Sequence, residues 1–464
     1  MSRPNILFFM TDEQRYDTFS WNNPVMKTPN LEQLAKNSLD FVNARSSNPS
    51  CIPSRAAIVT GKYPTACQCP TFITKLPKDE TTFMTKLQQA GYYTSVVGKQ
   101  HFAHSEIAHG YDYEMIVDGH GPKGHPAEIG AYLDYLEREG VRNSTHFLDN
   151  LIVGGTWMTD VKYHIDSFIG MEGNKWLKNH LESQDGNSKK PWFYTVSFPG
   201  PHQPYDCEGT KYADLYDLKD MNPSEGTYDD LKQKPHFYYD LNPRAHAVRY
   251  SEETFRRTKR SYYANISLID EKIGEIIQTL KDHNQYDNTL IIFTADHGDF
   301  MGDYGLFTKA QYLCDSLMRV PLLVKPPIKN YQGRQVKDYV TNINIASTCL
   351  TVADAEDFIT EDMENHPFTD YWENSAFHSQ EEYLYMEAHD LKGVIIEDTK
   401  VIYYVDRDYG ELYDIKKDPT ERFNLWENPD YQDIKQRAMG KIIDKLFKMS
   451  PKSNMRWNKN APSI

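Results

Sequence analysis

Asn5-Ile6-Leu7-Phe8-Phe9-Met10-Thr11-Asp12-Glu13 is an apolar run that stops on two adjacent carboxylates. Its apolar part, Asn5 to Met10, is short, lies close to the start of the chain and reads as a buried β-strand. Runs of the same kind return at Tyr92 to Val97, Trp192 to Phe198, Thr289 to Phe293 and Pro321 to Val324, with helical patterns between them. Alternation of this kind up to about residue 350 predicts an α/β fold, a large and mainly parallel sheet covered by helices on both faces.

The clearest helical pattern runs from about Glu252 to His283, where Ile266, Ile269, Ile273, Ile276, Ile277 and Leu280 recur at three- and four-residue steps. A shorter helix starts at Thr28 as N-cap with Pro29 in the first helical position, and another, from about Thr82 to Ala90, is stopped by Gly91. Past residue 355 the rhythm changes. Tyr383 to Met386, Val394 to Glu397, Lys400 to Tyr404 and Gly410 to Tyr413 read as antiparallel strands, followed by a helix from about Tyr431 to Met449. The expected division is a large α/β domain over 1–355 and a smaller C-terminal α+β subdomain, carrying the antiparallel sheet, over 356–464.

Composition narrows the partners. The 464 residues carry 51 Lys and Arg against 66 Asp and Glu, a net charge of −15 that repels phosphate backbones and anionic lipid. Nucleic acid and membrane are therefore not expected partners. No apolar run approaches the length of a membrane span or of a secretion signal, so a cytoplasmic location is expected. Six scattered cysteines (Cys51, Cys67, Cys69, Cys207, Cys314, Cys349) do not make a disulfide scaffold in a chain of this size. Cys67-Gln68-Cys69 is too short a spacing for a zinc site. The aromatic content leaves a homo-oligomer open.

Several predicted strands end in groups that bind metal or carry charge: Asp12 and Glu13 after the first, Lys99 and His101 after the second, His202 after the third, Asp296 and His297 after the fourth. Each alone has an ordinary reading as a solvated loop, a turn or a structural histidine. Their coincidence is informative because the carboxyl ends of parallel strands line the ligand crevice of an open α/β sheet. Asp12, Glu13, Asp296 and His297 together make a hard, oxygen-rich set suited to one Ca2+, Mg2+ or Mn2+. Without an ion the carboxylates would repel one another and take up protons.

A second cluster is Ser50-Cys51-Ile52-Pro53-Ser54-Arg55. Pro53 fits a first helical turn, which places Cys51 at a helix N-terminus among unpaired N–H groups, with Arg55 one turn along the same face. That arrangement is an anion site containing a nucleophilic atom; a buried structural cysteine is the equally ordinary alternative.

Cys51-Ile52-Pro53-Ser54-Arg55 resembles the C-x-P-S-R signature of the type I sulfatases, members of the alkaline phosphatase superfamily. The surroundings agree. Gly98-Lys99-Gln100-His101 is similar to the family's G-K-x-H element, Pro201-His202-Gln203-Pro204 to its P-H-x-P element, and Ala295-Asp296-His297-Gly298 to its second metal element. Gly305 to Lys309 resembles the segment bearing the last active-site lysine, and Glu411-Leu412-Tyr413-Asp414 matches a recurrent C-terminal stretch, so the likeness covers nearly the whole chain. Glu13 stands where the family most often has Asp, His297 where many members have Asn, and Gln100 in place of the commoner Trp.

The resemblance implies an alkaline-phosphatase-like fold and a sulfuric ester hydrolase. It also implies that a formylglycine-generating enzyme oxidises Cys51 to formylglycine, whose hydrated aldehyde attacks sulfur and breaks the S–O bond. Asp12, Glu13, Asp296, His297 and residue 51 would hold one divalent cation, Ca2+ before Mg2+ or Mn2+. Arg55 and Lys99 would orient the modified residue, His202 and Lys309 would meet the leaving group, and His101 would take the proton that releases sulfate. The expected substrate is a small sulfated carbohydrate. Choline sulfate and phosphonate monoesters or phosphodiesters are the alternatives within the superfamily. Most of Ala103 to about Lys190 lies outside these motifs and is expected to form loops over the crevice, with His104, His109, His120 and His125 among them.

Overall fold

The computed structural model describes residues 3–102, 109–119, 126–141, 145–147, 155–183, 185–187, 189–222, 226–235, 238 and 245–449. An eight-stranded sheet forms its centre, in the spatial order Arg334–Val336, Leu39–Phe41, Leu322–Lys325, Thr289–Ala295, Asn5–Asp12, Trp192–Pro201, Tyr93–Gly98, Tyr113–Ile116. The last five of these run parallel, and Leu322–Lys325 is antiparallel to both of its neighbours. Asn5–Asp12 is the middle of the parallel block and is buried at every position. Ile6 pairs with Phe193 on one side and Leu290 on the other.

Apolar side chains alternate between the two faces of that strand, because successive side chains point to opposite sides. Leu7 and Phe9 meet the helix Ile165–Glu182 and the helix Glu252–Asp282 through Phe168, Ile169, Ile269 and Ile273. Ile6, Phe8 and Met10 face the helices Cys51–Thr60, Phe83–Gln89 and Ile345–Val352 through Ile58, Leu87 and Leu350.

The segment between Ala103 and Lys190 corrects the expectation of loops. Tyr113–Ile116 is the edge strand, Pro126–Arg138 is a helix, and Ile165–Glu182 is an 18-residue core helix. Its apolar spacing is diluted by Gly170 and Gly173, which hides it from a periodicity search. Gly170 is there for closeness: a Cβ would stand 2.5 Å from the Lys272 side chain of the neighbouring helix. His109 is buried with its ring 5.0 Å from that of Phe102, while His104, His120 and His125 lie outside the described residues.

Leu384–Ala388, Leu391–Ile396, Thr399–Tyr404 and Gly410–Asp414 form the expected antiparallel sheet. The helix Gln432–Met449 covers one face, packing Ala438 and Ile442 on Val394, Val401 and Leu412. The other face shares an apolar cluster with the larger part of the chain: Met386, Ile402 and Tyr413 join Phe300, Leu306, Leu313 and Leu317. Buried ions reinforce this seam. Asp315 accepts from Arg45 Nη2 and from Lys400 Nζ, each at 2.7 Å, and Lys400 also pairs with Glu421. Among the described residues no helix is long and apolar enough to cross a membrane.

Removing one member of a buried ion group leaves its partners charged and unsolvated, at a cost of about 3–5 kcal/mol. Lys400→Met is therefore expected to destabilise the protein by that amount, read as a lowered urea midpoint with an unchanged slope.

Candidate active site

The predicted site residues converge because four adjacent strands end at one place. Thr289–Ala295 delivers Asp296 and His297, Asn5–Asp12 delivers Asp12 and Glu13, Trp192–Pro201 delivers His202, and Tyr93–Gly98 delivers Lys99 and His101. The fifth contribution is Cys51, the first residue of the helix Cys51–Thr60, as the position of Pro53 predicts.

Arg55 holds these parts in register. Its guanidinium has no solvent exposure and donates to Asp296 Oδ2 at 2.6 Å, to the Lys99 carbonyl at 2.9 Å and to Ser197 Oγ at 3.0 Å, with Asp12 Oδ2 at 3.5 Å. Lys99 pairs directly with Asp12. Burial works against a charged Asp12, yet Lys99, His202 and Arg55 hold its carboxyl well below the usual range. Ser54 ties the same helix to the same strand end, its hydroxyl donating to the Asp296 carbonyl at 2.6 Å. Lys99 can turn inward because Gly98 has φ +109°, and a Cβ at Gly98 would lie 2.0 Å from the Ser197 carbonyl oxygen.

Cys51 Sγ lies 3.5 Å from Asp12 Oδ1 and 3.2 Å from His297 Nε2. The other ring nitrogen, Nδ1, is 2.9 Å from the Gly298 carbonyl. A carbonyl only accepts, so Nδ1 carries the proton and Nε2 presents its lone pair to the site. Asp12, Cys51, Asp296 and His297 thus each offer one donor atom, all within 4.8 Å of one another and all buried. Burial and the nearby Asp12 push the Cys51 thiol up to about 12, so as a thiol it stays protonated and a poor nucleophile at neutral pH.

Glu13 stands beside this group rather than inside it, sharing a second cluster with Asp12 and His202. Its backbone takes a left-handed φ of 66°, its carbonyl accepts from Tyr262 Oη at 2.7 Å, and its Oε2 accepts from Lys309 Nζ at 2.8 Å. Oε1 is buried with no hydrogen-bond partner among the described residues. Burial raises this carboxyl to about 8, with the neighbouring Asp299 adding to the effect. His202 Nδ1 donates to the Gln203 carbonyl at 2.6 Å while Nε2 sits 3.2 Å from Glu13 Oε2. Two acceptors do not hold that distance, so a proton lies between them, on the imidazole or on the carboxyl. An inward-facing imidazole nitrogen, clustered carboxylates and an orphaned Glu13 Oε1 fit a hard divalent cation.

His101 occupies the fourth strand end. The Asp118 Oδ1 atom accepts from the amides of Gln100 at 2.6 Å and His101 at 3.0 Å, which fixes the left-handed turn at His101, φ 52°. Its Nδ1 is buried without a hydrogen-bond partner among the described residues. Burial, with Lys99 nearby, lowers His101 to about 2, so the ring is a neutral proton acceptor throughout the working range.

Asp118, Ser197, Tyr262 and Ser54 are the supporting residues that motif reading passes over. Ser197 lies in a predicted strand one step from its end, and Ser54 lies inside the cysteine motif. Asp118 follows an edge strand that the sequence does not announce, and Tyr262 comes from the long helix.

The sulfatase family model matches residues 4–355, three quarters of the chain, and a model described as N-sulphoglucosamine sulphohydrolase, C-terminal, matches residues 302–448. The chain belongs to the sulfatase family. A choline-sulfatase of Rhizobium meliloti is 32% identical over 92% of this chain and 83% of its own length. An N-acetylglucosamine-6-O-sulfatase of Bacteroides thetaiotaomicron is 27% identical over 96% and 86%. Among solved structures, a phosphonate monoester hydrolase of Agrobacterium radiobacter superposes with a TM-score of 0.82 at 21% identity, covering 96% of both chains, a likeness of fold. This sulfatase is an α/β hydrolase of sulfuric esters, and its reaction class follows from the family.

The raised carboxyls make a pH prediction. Burial lifts Glu13 to about 8, and Asp270 and Asp299 to about 6. A carboxyl with a raised folded pKa favours folding below its unfolded value and loses that contribution as pH climbs through the folded value. In chelator, Tm is therefore expected to fall between about pH 5 and pH 8, and added Ca2+ to flatten that decline, as measured by calorimetry.

Proposed function

We propose that this sulfatase hydrolyses the sulfate monoester of a small sulfated carbohydrate by S–O cleavage, with residue 51 matured to formylglycine by a formylglycine-generating enzyme. One divalent cation, Ca2+ foremost, would be held by Asp12, Asp296, His297 and residue 51, with Glu13 alongside. The observation that carries the proposal is the placement of Cys51: first residue of a helix, in contact with Asp12 and His297, backed by Arg55. A thiol held near 12 is chemically idle there, whereas a hydrated aldehyde offers hydroxyl oxygens at the same spot.

When bound, the cation supplies positive charge to the sulfate oxygens and acidifies a hydroxyl of residue 51. The chain's own groups do the rest. Arg55, immobilised by Asp296, the Lys99 carbonyl and Ser197, orients residue 51. Lys99 and Lys309 flank it with fixed positive charge that meets the charge developing on oxygen. His202, sharing a proton with Glu13, donates that proton to the departing alcohol. His101, neutral and with a free ring nitrogen among the described residues, accepts the proton from the remaining hydroxyl of residue 51 as sulfate leaves.

The N-acetylglucosamine-6-O-sulfatase relative supports the carbohydrate reading. The 32% identity with a choline-sulfatase favours choline sulfate as the second. Sulfate release would be measured on sulfated saccharides, choline sulfate and a phosphonate monoester, using protein co-produced with a formylglycine-generating enzyme. The expected result is turnover of a sulfated saccharide, abolished by Cys51→Ala, with a residue-51 peptide about 18 Da lighter than the thiol form. Preference for choline sulfate or the phosphonate overturns the carbohydrate reading, and an unmodified thiol in an active enzyme overturns the formylglycine mechanism. His101→Ala is expected to lower kcat by about 10²–10⁴ with little change in KM.

A further inference from the structure

Past His202 the chain turns into the body of the protein and brings Asp206 and Cys207 against His164, the residue that caps the helix Ile165–Glu182. His164 Nε2 lies 3.1 Å from Asp206 Oδ1 and 3.6 Å from Cys207 Sγ, and the three donor atoms all lie within 4.8 Å of one another. All three residues are buried. None belongs to the catalytic group, and the hydrolytic mechanism uses none of them.

We propose that His164, Asp206 and Cys207 form a second metal site, for Zn2+, with water in the fourth position. The spacing fits. With Zn–N about 2.0–2.1 Å, Zn–S about 2.3 Å and Zn–O about 2.0 Å, tetrahedral angles put nitrogen about 3.6 Å from sulfur and about 3.3 Å from oxygen. The observed separations are 3.6 Å and 3.1 Å. Ligand chemistry separates the two centres: a thiolate with an imidazole selects zinc, whereas the carboxylate-rich catalytic group selects a hard cation.

The surroundings are also those of a metal histidine. Asp166 Oδ2 lies 3.5 Å behind His164 Nδ1, and that carboxylate is itself fixed by the Gly200 amide at 3.0 Å and Asn265 Nδ2 at 2.9 Å. Without metal, Nδ1 accepts from the Asp166 amide at 3.2 Å. Zinc on Nε2 moves the ring proton to Nδ1, which gives up the bond from the Asp166 amide and takes the Asp166 carboxylate as its acceptor, and the Cys207 thiol proton is released to solvent. A cavity of about 20 Å³ bordered by His164, Asp166, Asp206 and Asn265 has room for one water. The Cys207 amide, donating to Ser261 Oγ at 2.7 Å, anchors the backbone from the other side. Zinc here would pin the Pro201–Cys207 loop, and so His202, to the helix that lies under the sheet.

The test uses full-length protein carrying Cys51→Ala, which removes the thiol of the catalytic group. Zinc content by mass spectrometry is expected near one equivalent per chain after dialysis against Ca2+ buffer. Replacement by Co2+ should give a thiolate-to-cobalt charge-transfer band together with tetrahedral visible bands. Adding Cys207→Ser should abolish the charge-transfer band, and Asp206→Asn should weaken zinc retention at least tenfold. Zinc-edge X-ray absorption of the Cys51→Ala protein answers the question even if those variants fail to fold, since it must show one sulfur at about 2.3 Å. No sulfur neighbour, no charge-transfer band in excess Co2+, or a band unchanged by Cys207→Ser overturns the proposal.

Discussion

A guanidinium with no access to water sets the terms for the whole catalytic end. Arg55 can stay charged in that position only because polar groups surround it, and those groups come from the ends of four strands: Asp12, Asp296, the Lys99 carbonyl and Ser197. Leaving such a charge unpaired would cost several kcal/mol. The requirement is therefore also a registration device. A slip of one residue in the strand that leads to Asp12, to Asp296 or to Ser197 would turn the needed side chain to the opposite face of the sheet and strand the arginine.

Charge balance extends the same logic. Asp12, Glu13 and Asp296 face Arg55, Lys99 and Lys309, three carboxyl groups against three cationic side chains. A bound divalent cation would add two positive charges and a sulfate monoester one negative, and the charge that shifts onto the departing oxygen as the bond breaks would stay among these fixed cationic groups in a low-dielectric site. Glu13, lifted by burial and by Asp299, is the member of the set least settled without its cation.

Much of this was legible in the residues. Short apolar runs at Asn5, Tyr92, Trp192 and Thr289 announced the parallel block, and the polar residues just after them announced the site, because a strand end is fixed by where the apolar run stops. What escaped was whatever depends on a third dimension. The helix Ile165–Glu182 was masked by two glycines, Gly170 packed closely against another helix and Gly173 against Tyr194 and Val196 of the sheet. Leu39–Phe41 and Arg334–Val336 are three-residue strands, the second at the sheet edge, below the length at which a pattern shows. Asp118 and Tyr262 act through two backbone contacts each, and a single Asp or Tyr carries no spacing signal. The separation of Glu13 from the Asp12, Cys51, Asp296 and His297 donors is a matter of backbone direction at one left-handed residue.

The position of Asn5–Asp12 in the sheet has a consequence for biogenesis. It precedes its sheet partners in the chain, yet it lies in the middle, hydrogen-bonded to Trp192–Pro201 and Thr289–Ala295. On the ribosome, Ile6 to Met10 must wait for a first sheet partner until Trp192–Pro201 has emerged and for the second until Thr289–Ala295 has, an apolar segment of the kind that aggregates when left exposed. Such long-range closure makes folding slow. The same delay keeps the Cys51 helix from being sealed against the strand ends, so the cysteine that is buried in the finished fold stays open to solvent for as long as the sheet is incomplete.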